Sequence, residues 1–311
     1  MRRFSFSFYL SWATIGLALG TLLGQLAGSY FFLFELLSHF SVQYAVLGLG
    51  LAVAWLWQRQ WLWATLAAAC LSWHIALIIP WVLAEKPVSA GQQADLRVLH
   101  ANVLFTRSDL SKTIRFVQEQ RADIVVLQEV TVVHIPQVWA AMRGEFPYRD
   151  TIRSKGPCHI LVLSRTPIQT DSAARSLKVI HLTTSVRGHS FDLFTVHPRT
   201  PIWYPWFRER NKQLAFVAAG LTQTKGPALL TGDFNISVFS PIYRSLFAAK
   251  TPVTACRRGF GLQPTWPRFL PPAYLPIDHT FINEGFVTTR FTTLDQPGSD
   301  HKAVRVDLRF R

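Results

Sequence analysis

Six groups of polar residues interrupt otherwise apolar runs in this 311-residue chain: Asn102, Glu129, His197, Gly232-Asp233-Phe234-Asn235, Asp278-His279 and Gly298-Ser299-Asp300-His301. Their types point to one kind of chemistry. Carboxylates and amides are oxygen donors for a hard cation, and histidines move protons near neutral pH. Each group alone has an ordinary structural reading. Asn102 reads as a polar group at a strand edge, Glu129 as an acid at a helix start, and residues 232–235 and 299–301 as turns. The conjunction carries more weight, because a charge at the end of a buried strand is costly without a partner.

The elements that must position these residues follow from short β-branched runs. Residues 96–104, 124–128, 159–163, 179–183, 191–196, 228–231, 277–282 and 303–308 read as strands. Residues 110–120, 136–142 and 208–221 read as helices, the first with Ile114, Phe116 and Val117 for its core face and Ser108 or Asp109 as its cap. A turn is expected at 186–190. Residues 257–276, rich in Pro, Gly, aromatic and Arg residues, read as one long loop, and loops of that length in a compact domain are usually functional or disordered. Mixed β-α-β and hairpin connections predict an α/β fold of two packed sheets with helices outside. The polar groups then sit at strand ends, where ligands gather in open α/β sheets.

In this order and spacing, the set from Asn102 to Gly298-Ser299-Asp300-His301 resembles the endonuclease/exonuclease/phosphatase superfamily (deoxyribonuclease I-like), over 96–311. Thr265-Trp266-Pro267 is similar to a Thr-Trp element of that family. The resemblance implies a four-layer α/β/β/α sandwich and metal-assisted attack of water on a phosphodiester. It implies Glu129 as the principal metal carboxylate, supported by Asn102 and completed by Asp300, for Mg²⁺ with Mn²⁺ as an alternative. His301 would contact the scissile phosphate and share in acid/base work, oriented by Asp278. Asp233 and Asn235 would position the water and a phosphoryl oxygen, with Asp233 an alternative base. His197 would bond a phosphate oxygen or protonate the leaving group. His279 departs from the tyrosine common in the family's nucleases, and their phosphate-directed tyrosine has no match, which counts against an abasic-site endonuclease. His100, His134, His159, His181 and His189 match nothing in the motif set and read as surface or packing residues.

The chain is charged unevenly. Residues 1–87 hold four Lys or Arg and two acids, so the remainder carries 28 basic and 16 acidic residues, a net charge of +12. The head contains three apolar stretches, 8–34, 42–57 and 61–83, of which the first and third reach the roughly 20 residues needed to cross a bilayer. A cleaved signal peptide is the rival reading of the first, but the later stretches keep the chain in the membrane. The expected organisation is a membrane anchor at 1–87 with about three transmembrane helices, a linker at 88–95 and a catalytic domain at 96–311. The head resembles that of bacterial membrane-attached members of the superfamily, which places the chain in the cell membrane. Arg2, Arg3 and Arg59 on the inner side put the catalytic domain outside the cytoplasm.

Cys70, Cys158 and Cys256 have no metal-ligand spacing, although an extracytoplasmic setting permits a Cys158–Cys256 bridge. The positive body suits an anionic partner. Nucleic acid is the favoured substrate, its backbone tracked by Arg199, Arg257, Arg258 and Arg268 with Trp203, Trp206, Trp266 and Phe269 for stacking. The alternatives are lipid headgroups, with 203–207 dipping into the bilayer interface, and a non-catalytic scaffold.

Overall fold

The computed structural model describes residues 6–311 apart from 154, 155, 157 and 248–251. Arg2 and Arg3, used above for orientation, lie outside the described residues. The head forms α1 (Phe6–Leu22), continued by a π-helical turn to Ala27, then α2 (Phe32–Ser38), α3 (Ser41–Trp57) and α4 (Trp61–Val82). Phe6–Ala27 and Trp61–Val82 are long and apolar enough to cross a membrane, and α2 with α3 would count as a third crossing only as a pair bent by 64°.

The single apolar stretch expected at 8–34 is therefore broken. Glu35 is the reason. Its carboxylate is fully buried, 2.6 Å from Arg210 Nη2 and 2.8 Å from Ser240 Oγ, both in the body of the protein. That pairing pulls α2 off the path of α1 and folds it against the catalytic part. The corner is tight: a Cβ on Gly28 would stand 2.3 Å from Gly24 O and 3.2 Å from Pro241. The 88–95 segment is also tied down, with Ser89 Oγ donating to Thr288 O and Gly91 N to Thr289 O.

The body runs β1 (Leu96–Asn102), α5 (Ser111–Glu119), β2 (Ile124–Val130), α6 (His134–Met142), β3 (Tyr148–Ile152), β4 (His159–Ser164), β5 (Ile168–Asp171), β6 (Val179–Val186), β7 (His189–Val196), α7 (Tyr204–Gln223), β8 (Ala228–Asp233), α8 (Pro241–Phe247), β9 (Thr254–Ala255), β10 (Asp278–Ile282), β11 (Phe286–Asp295) and β12 (Lys302–Phe310). Two six-stranded sheets form, ordered β11-β12-β1-β2-β4-β3 and β5-β6-β7-β8-β10-β9. Their inner faces meet in an apolar core: Leu96, Val98, Ile124 and Val126 from one sheet, Ile180, Leu182, Leu193 and Leu229 from the other. Each buried side chain of that kind contributes about 1.5–3 kcal/mol. The alternate residues Leu99, Ala101, Val125 and Leu127 face α5 and α6, while Phe194 and Leu230 face α7 and α8. The result is the expected mixed α/β sandwich.

Strands β3, β5, β9 and β11 were not expected from sequence. Each is edge or near-edge, with polar residues that obscure an apolar run, as in the threonine-rich β11. The turn at 186–190 tightens to two residues, Arg187 and Gly188, both at positive φ, as a type I′ hairpin needs. Asp109 holds the start of α5, accepting from Ser111 N at 2.8 Å.

Each sheet has one central parallel pair, β1–β2 and β7–β8, flanked by antiparallel strands. The C-terminal ends of the parallel strands therefore lie beside the N-terminal starts of β4, β10 and β12. This is why some candidate residues end a strand and others precede one.

The Glu35–Arg210 pair can be tested through stability. Glu35→Ala in the full chain should destabilise it by about 3–5 kcal/mol by stranding Arg210, and Glu35→Leu with Arg210→Met should restore most of the loss. Thermal unfolding in detergent measures both; an unchanged midpoint in Glu35→Ala would refute the role given to the pair.

Candidate active site

Along the inner strand faces the apolar residues give way to polar ones at one end of the sandwich. Val98 is followed by His100 and Asn102, Val126 by Gln128, Leu193 by Thr195, and Leu229 by Thr231 and Asp233, each two positions on. Gln128 ties the two sheets together there. Its Nε2 donates to Val196 O at 3.0 Å and Thr195 Oγ1 at 3.2 Å, and its Oε1 accepts from Asp233 N at 2.8 Å. Gly232 leaves room for this contact: a Cβ there would stand 2.3 Å from Val196 O and 2.9 Å from Gln128 Nε2.

Glu129 sits at a bulge in the β2–β4 pairing with φ at 61°, a left-handed conformation that non-glycine residues seldom take. The bulge brings its carboxylate into the site, where Asn102 Nδ2 donates to Oε1 at 2.9 Å and Phe105 N to Oε2 at 3.1 Å. Asn102 Nδ2 also lies 3.2 Å from Asp233 Oδ2, while its Oδ1 accepts from Leu104 N. Placed this way, Asn102 holds the two carboxylates together as a donor. Asp233 Oδ1 accepts from Asn235 N at 2.9 Å, and Asn235 adopts φ of 51° to complete the turn. Thr200 and Pro198 fix the Asn235 amide.

Two imidazoles flank these acids. His301 Nδ1 lies 2.9 Å from Asp278 Oδ2 and its Nε2 3.7 Å from Asp233 Oδ2. Thr265 Oγ1 accepts from the backbone N–H of Ile277 and Asp278, and Ser299 Oγ bridges His301 N to Asn102 O. His197 Nε2 lies 3.5 Å from Glu129 Oε1, and its Nδ1 3.8 Å from Asp233 Oδ2. Asp300 Oδ2 accepts from Trp266 Nε1 at 2.9 Å, and its Oδ1 is buried without a hydrogen-bond partner.

Burial and neighbouring charge separate the titrations. Burial and the charge of Asp278 push Asp233 up to about 6, against the pull of His301 and His197. Burial opposes ionisation of Asp278 too, but the His301 charge and hydrogen bond bring it down to about 2. Burial disfavours a charged His301, yet Asp278 and Asp233 raise it to about 9. Glu129 is likewise held down to about 2, its burial outweighed by His197 and by the Asn102 and Phe105 donors. For His197 burial is outweighed by the Cys158 thiol, Glu129 and Asp233, and its pKa lies well above the usual imidazole range.

All eight residues singled out from sequence reach one place. Asn102, Glu129, His197, Asp233, Asp278 and His301 contact one another, and Asn235 and Asp300 line the same cavity of about 440 Å3. Glu129, His197 and Asp233 each offer a ligand atom within 4.8 Å of the others, as do Asp233, Asp278 and His301. The carboxylate oxygens of Glu129 and Asp233 suit a divalent cation, and Asp300, which lines the same cavity, leaves Oδ1 without a hydrogen-bond partner as a further oxygen donor.

Sequence reasoning missed several contributors. Gln128 was read only as part of a strand. His100, assigned a packing role, is buried with Nδ1 3.6 Å from Asp278 Oδ1, behind the Asp278–His301 pair. Cys158 lies against His197; no disulfide joins any of the three cysteines. Arg257 leaves the proposed phosphate track, since it is fully buried and donates to the carbonyls of Leu262, Gln263 and Asp278. Arg268 is tied to Ser299 O, and Trp206 lies under Arg199.

Known proteins share this fold. Humanized D. rerio TDP2 superposes with a TM-score of 0.58 at 16% identity, over 69% of this chain and 98% of that one. An endonuclease/exonuclease/phosphatase from Beutenbergia cavernae gives 0.56 at 18%, over 70% and 72%. The mannosyl-6-phosphatase of Bacteroides thetaiotaomicron gives 0.52 at 20%, over 69% and 100%. No curated protein matches the chain by sequence. Residues 99–301, which span the site from the middle of β1 to His301, match the Endonuclease/Exonuclease/phosphatase family, and this chain belongs to that family of phosphoester hydrolases.

Proposed function

We propose that this protein is a membrane-anchored, divalent-metal-dependent enzyme that hydrolyses a phosphodiester by attack of water. The reading is supported above all by one arrangement: the buried Asp278–His301 pair facing Asp233, Glu129 and His197 across a single cleft. In it, residues 1–87 hold the protein in the cell membrane and residues 96–311, after the 88–95 segment, carry the chemistry outside the cytoplasm.

Glu129 would be the principal carboxylate for Mg²⁺ (or Mn²⁺), supported by Asn102, and Asp300 would complete the site. A cation bound there supplies positive charge to a phosphoryl oxygen. The protein's own residues do the rest. Asp233, poised near neutrality, takes the proton of the attacking water, the condition under which a base works best. Asn235 fixes the loop that presents it. His301, kept protonated by Asp278, donates to a phosphoryl oxygen, and protonated His197 supplies the proton that the leaving oxygen requires. Asn102 and Gln128 hold the acids in register.

Asp233→Asn and His301→Ala should each lower turnover of bis(p-nitrophenyl) phosphate by at least about 10²-fold while circular dichroism stays unchanged. Near-normal turnover in either variant removes that residue from the mechanism. Chelator should abolish turnover and Mg²⁺ restore it; activity that survives chelation contradicts the metal assignment. Because Asp278 raises His301 to about 9, activity on the basic side should fall as pH passes that value, while the acidic limb belongs to Asp233 at about 6. Asp278→Asn should move this basic limb down toward the ordinary imidazole range of about 6.5. A pH–kcat profile with an unmoved limb would show that the pair does not set it.

A further inference from the structure

The catalytic cavity is lined by two unlike sets of residues. Glu129, Asp233, Asn235, Asp300 and His301 are its acids, amide and imidazole; Leu36, Phe40, Ile202, Leu275 and Ile277 are apolar. Leu36 belongs to α2 and Phe40 to the corner before α3, so part of the apolar set comes from the hydrophobic N-terminal region. That segment is seated, not draped. Glu35 pairs with Arg210, His39 Nδ1 lies 2.9 Å from Ser237 Oγ, and Arg244 Nη1 donates to Gln25 Oε1 at 2.9 Å.

The same segment also fixes the height of the cavity. Phe40 directly precedes α3, whose 17 residues extend about 25 Å. A cavity one residue from the end of that helix lies at the level of lipid headgroups if α3 enters the bilayer. Beside it, between the first turns of α3 (Val42, Val46, Leu47) and the loop bearing Leu262, Pro271 and Tyr274, lies a second apolar cavity of about 610 Å3. The extended run 274–277 is the partition, with Leu275 and Ile277 facing the catalytic cavity and Tyr274 and Pro276 the other. Trp203 is 61% exposed and Phe269 72%, next in sequence to or near cavity residues Ile202 and Trp266, as aromatic tips at an interface would be.

Charge argues the same way. A nucleic-acid backbone is held by Lys and Arg, and among the described residues lining the catalytic cavity there is neither. A single phosphoester with an apolar arm needs only the metal and imidazole groups for its phosphate and apolar residues for the arm.

The geometry points to an amphiphilic substrate, a membrane-lipid phosphoester that presents its phosphate to the polar residues from the plane of the bilayer and lays its apolar chain along Leu36 and Phe40. This rests on the phosphoesterase reading above and narrows its substrate. The reaction is hydrolysis: a water oxygen bonds to phosphorus, the ester P–O bond breaks, and the departing oxygen takes a proton.

The test uses the full chain in mixed micelles with Mg²⁺ and three probes: p-nitrophenyl methyl phosphate, p-nitrophenyl hexadecyl phosphate, and single-stranded DNA. The hexadecyl ester should be favoured over the methyl ester in kcat/KM by at least about 30-fold, the effect of burying two or three methylene groups. Micelle partitioning alone could favour the long chain, so the deciding arm is Leu36→Ser/Phe40→Ser, in which the ratio should collapse to within about threefold. Ile202→Ser, in the same apolar set, should lower the ratio too and serves if the double variant fails to fold. Equal use of both esters, a ratio unchanged in the folded variants, or DNA cleaved in preference to both overturns the lipid inference and leaves the phosphoesterase standing. No hydrolysis of any probe overturns both.

Discussion

Everything in this site depends on burying three carboxylates together without leaving any of them alone. Asp278 has no exposed surface, Asp233 almost none, and Glu129 is about 15% exposed. Charges so placed are tolerated only when paired. The pairing is internal: two acids held ionised, two imidazoles held protonated, and Asp233 raised to about 6 between them. A cation entering such a group competes with the protons that balance it, so its affinity and the site's protonation are linked. The same constraint explains the conformational cost at Glu129. A residue in the left-handed region persists when its surroundings over-determine it, and here the Asn102 amide, the Phe105 N–H and His197 all converge on one carboxylate.

The candidate site was legible from sequence because strand geometry leaves a trace there. Asn102, Glu129 and Asp233 stop apolar runs, and Asp278 and His301 start them. Once the topology places β10 and β12 antiparallel to the central strands, those stops and starts coincide in space. What could not be read is whatever acts across the two sheets. Gln128 and His100 are polar residues within apolar strands, and nothing in their neighbours says that one will reach Thr195 and Asp233 and the other Asp278. Arg257 shows the opposite failure. In sequence it sits in a basic, aromatic loop, yet its guanidinium closes that loop onto the Asp278 carbonyl. Edge strands escaped for a simpler reason: β3, β5 and β11 carry too many polar side chains to form an apolar run.

In the head a single residue decides where α2 lies. Glu35 is the one acid between the apolar stretches 8–34 and 42–57, and in sequence nothing marks its partner. In the structure it is a ligand for Arg210, whose other nitrogen Nη1 donates to Asn235 O, the carbonyl of the turn that presents Asp233. The N-terminal region and the catalytic loop thus share one guanidinium. A flexible tether would leave both charges in water, at no desolvation cost. Burying them, at several kcal/mol per ion before pairing, has one structural consequence that a tether lacks. It sets the angle and distance between the hydrophobic helices and the cleft, so that whatever depth the helices take in a bilayer, the cleft takes a fixed height above it. A substrate free in solution gains nothing from that fixed height, whereas one confined to the bilayer surface meets the cleft already aligned.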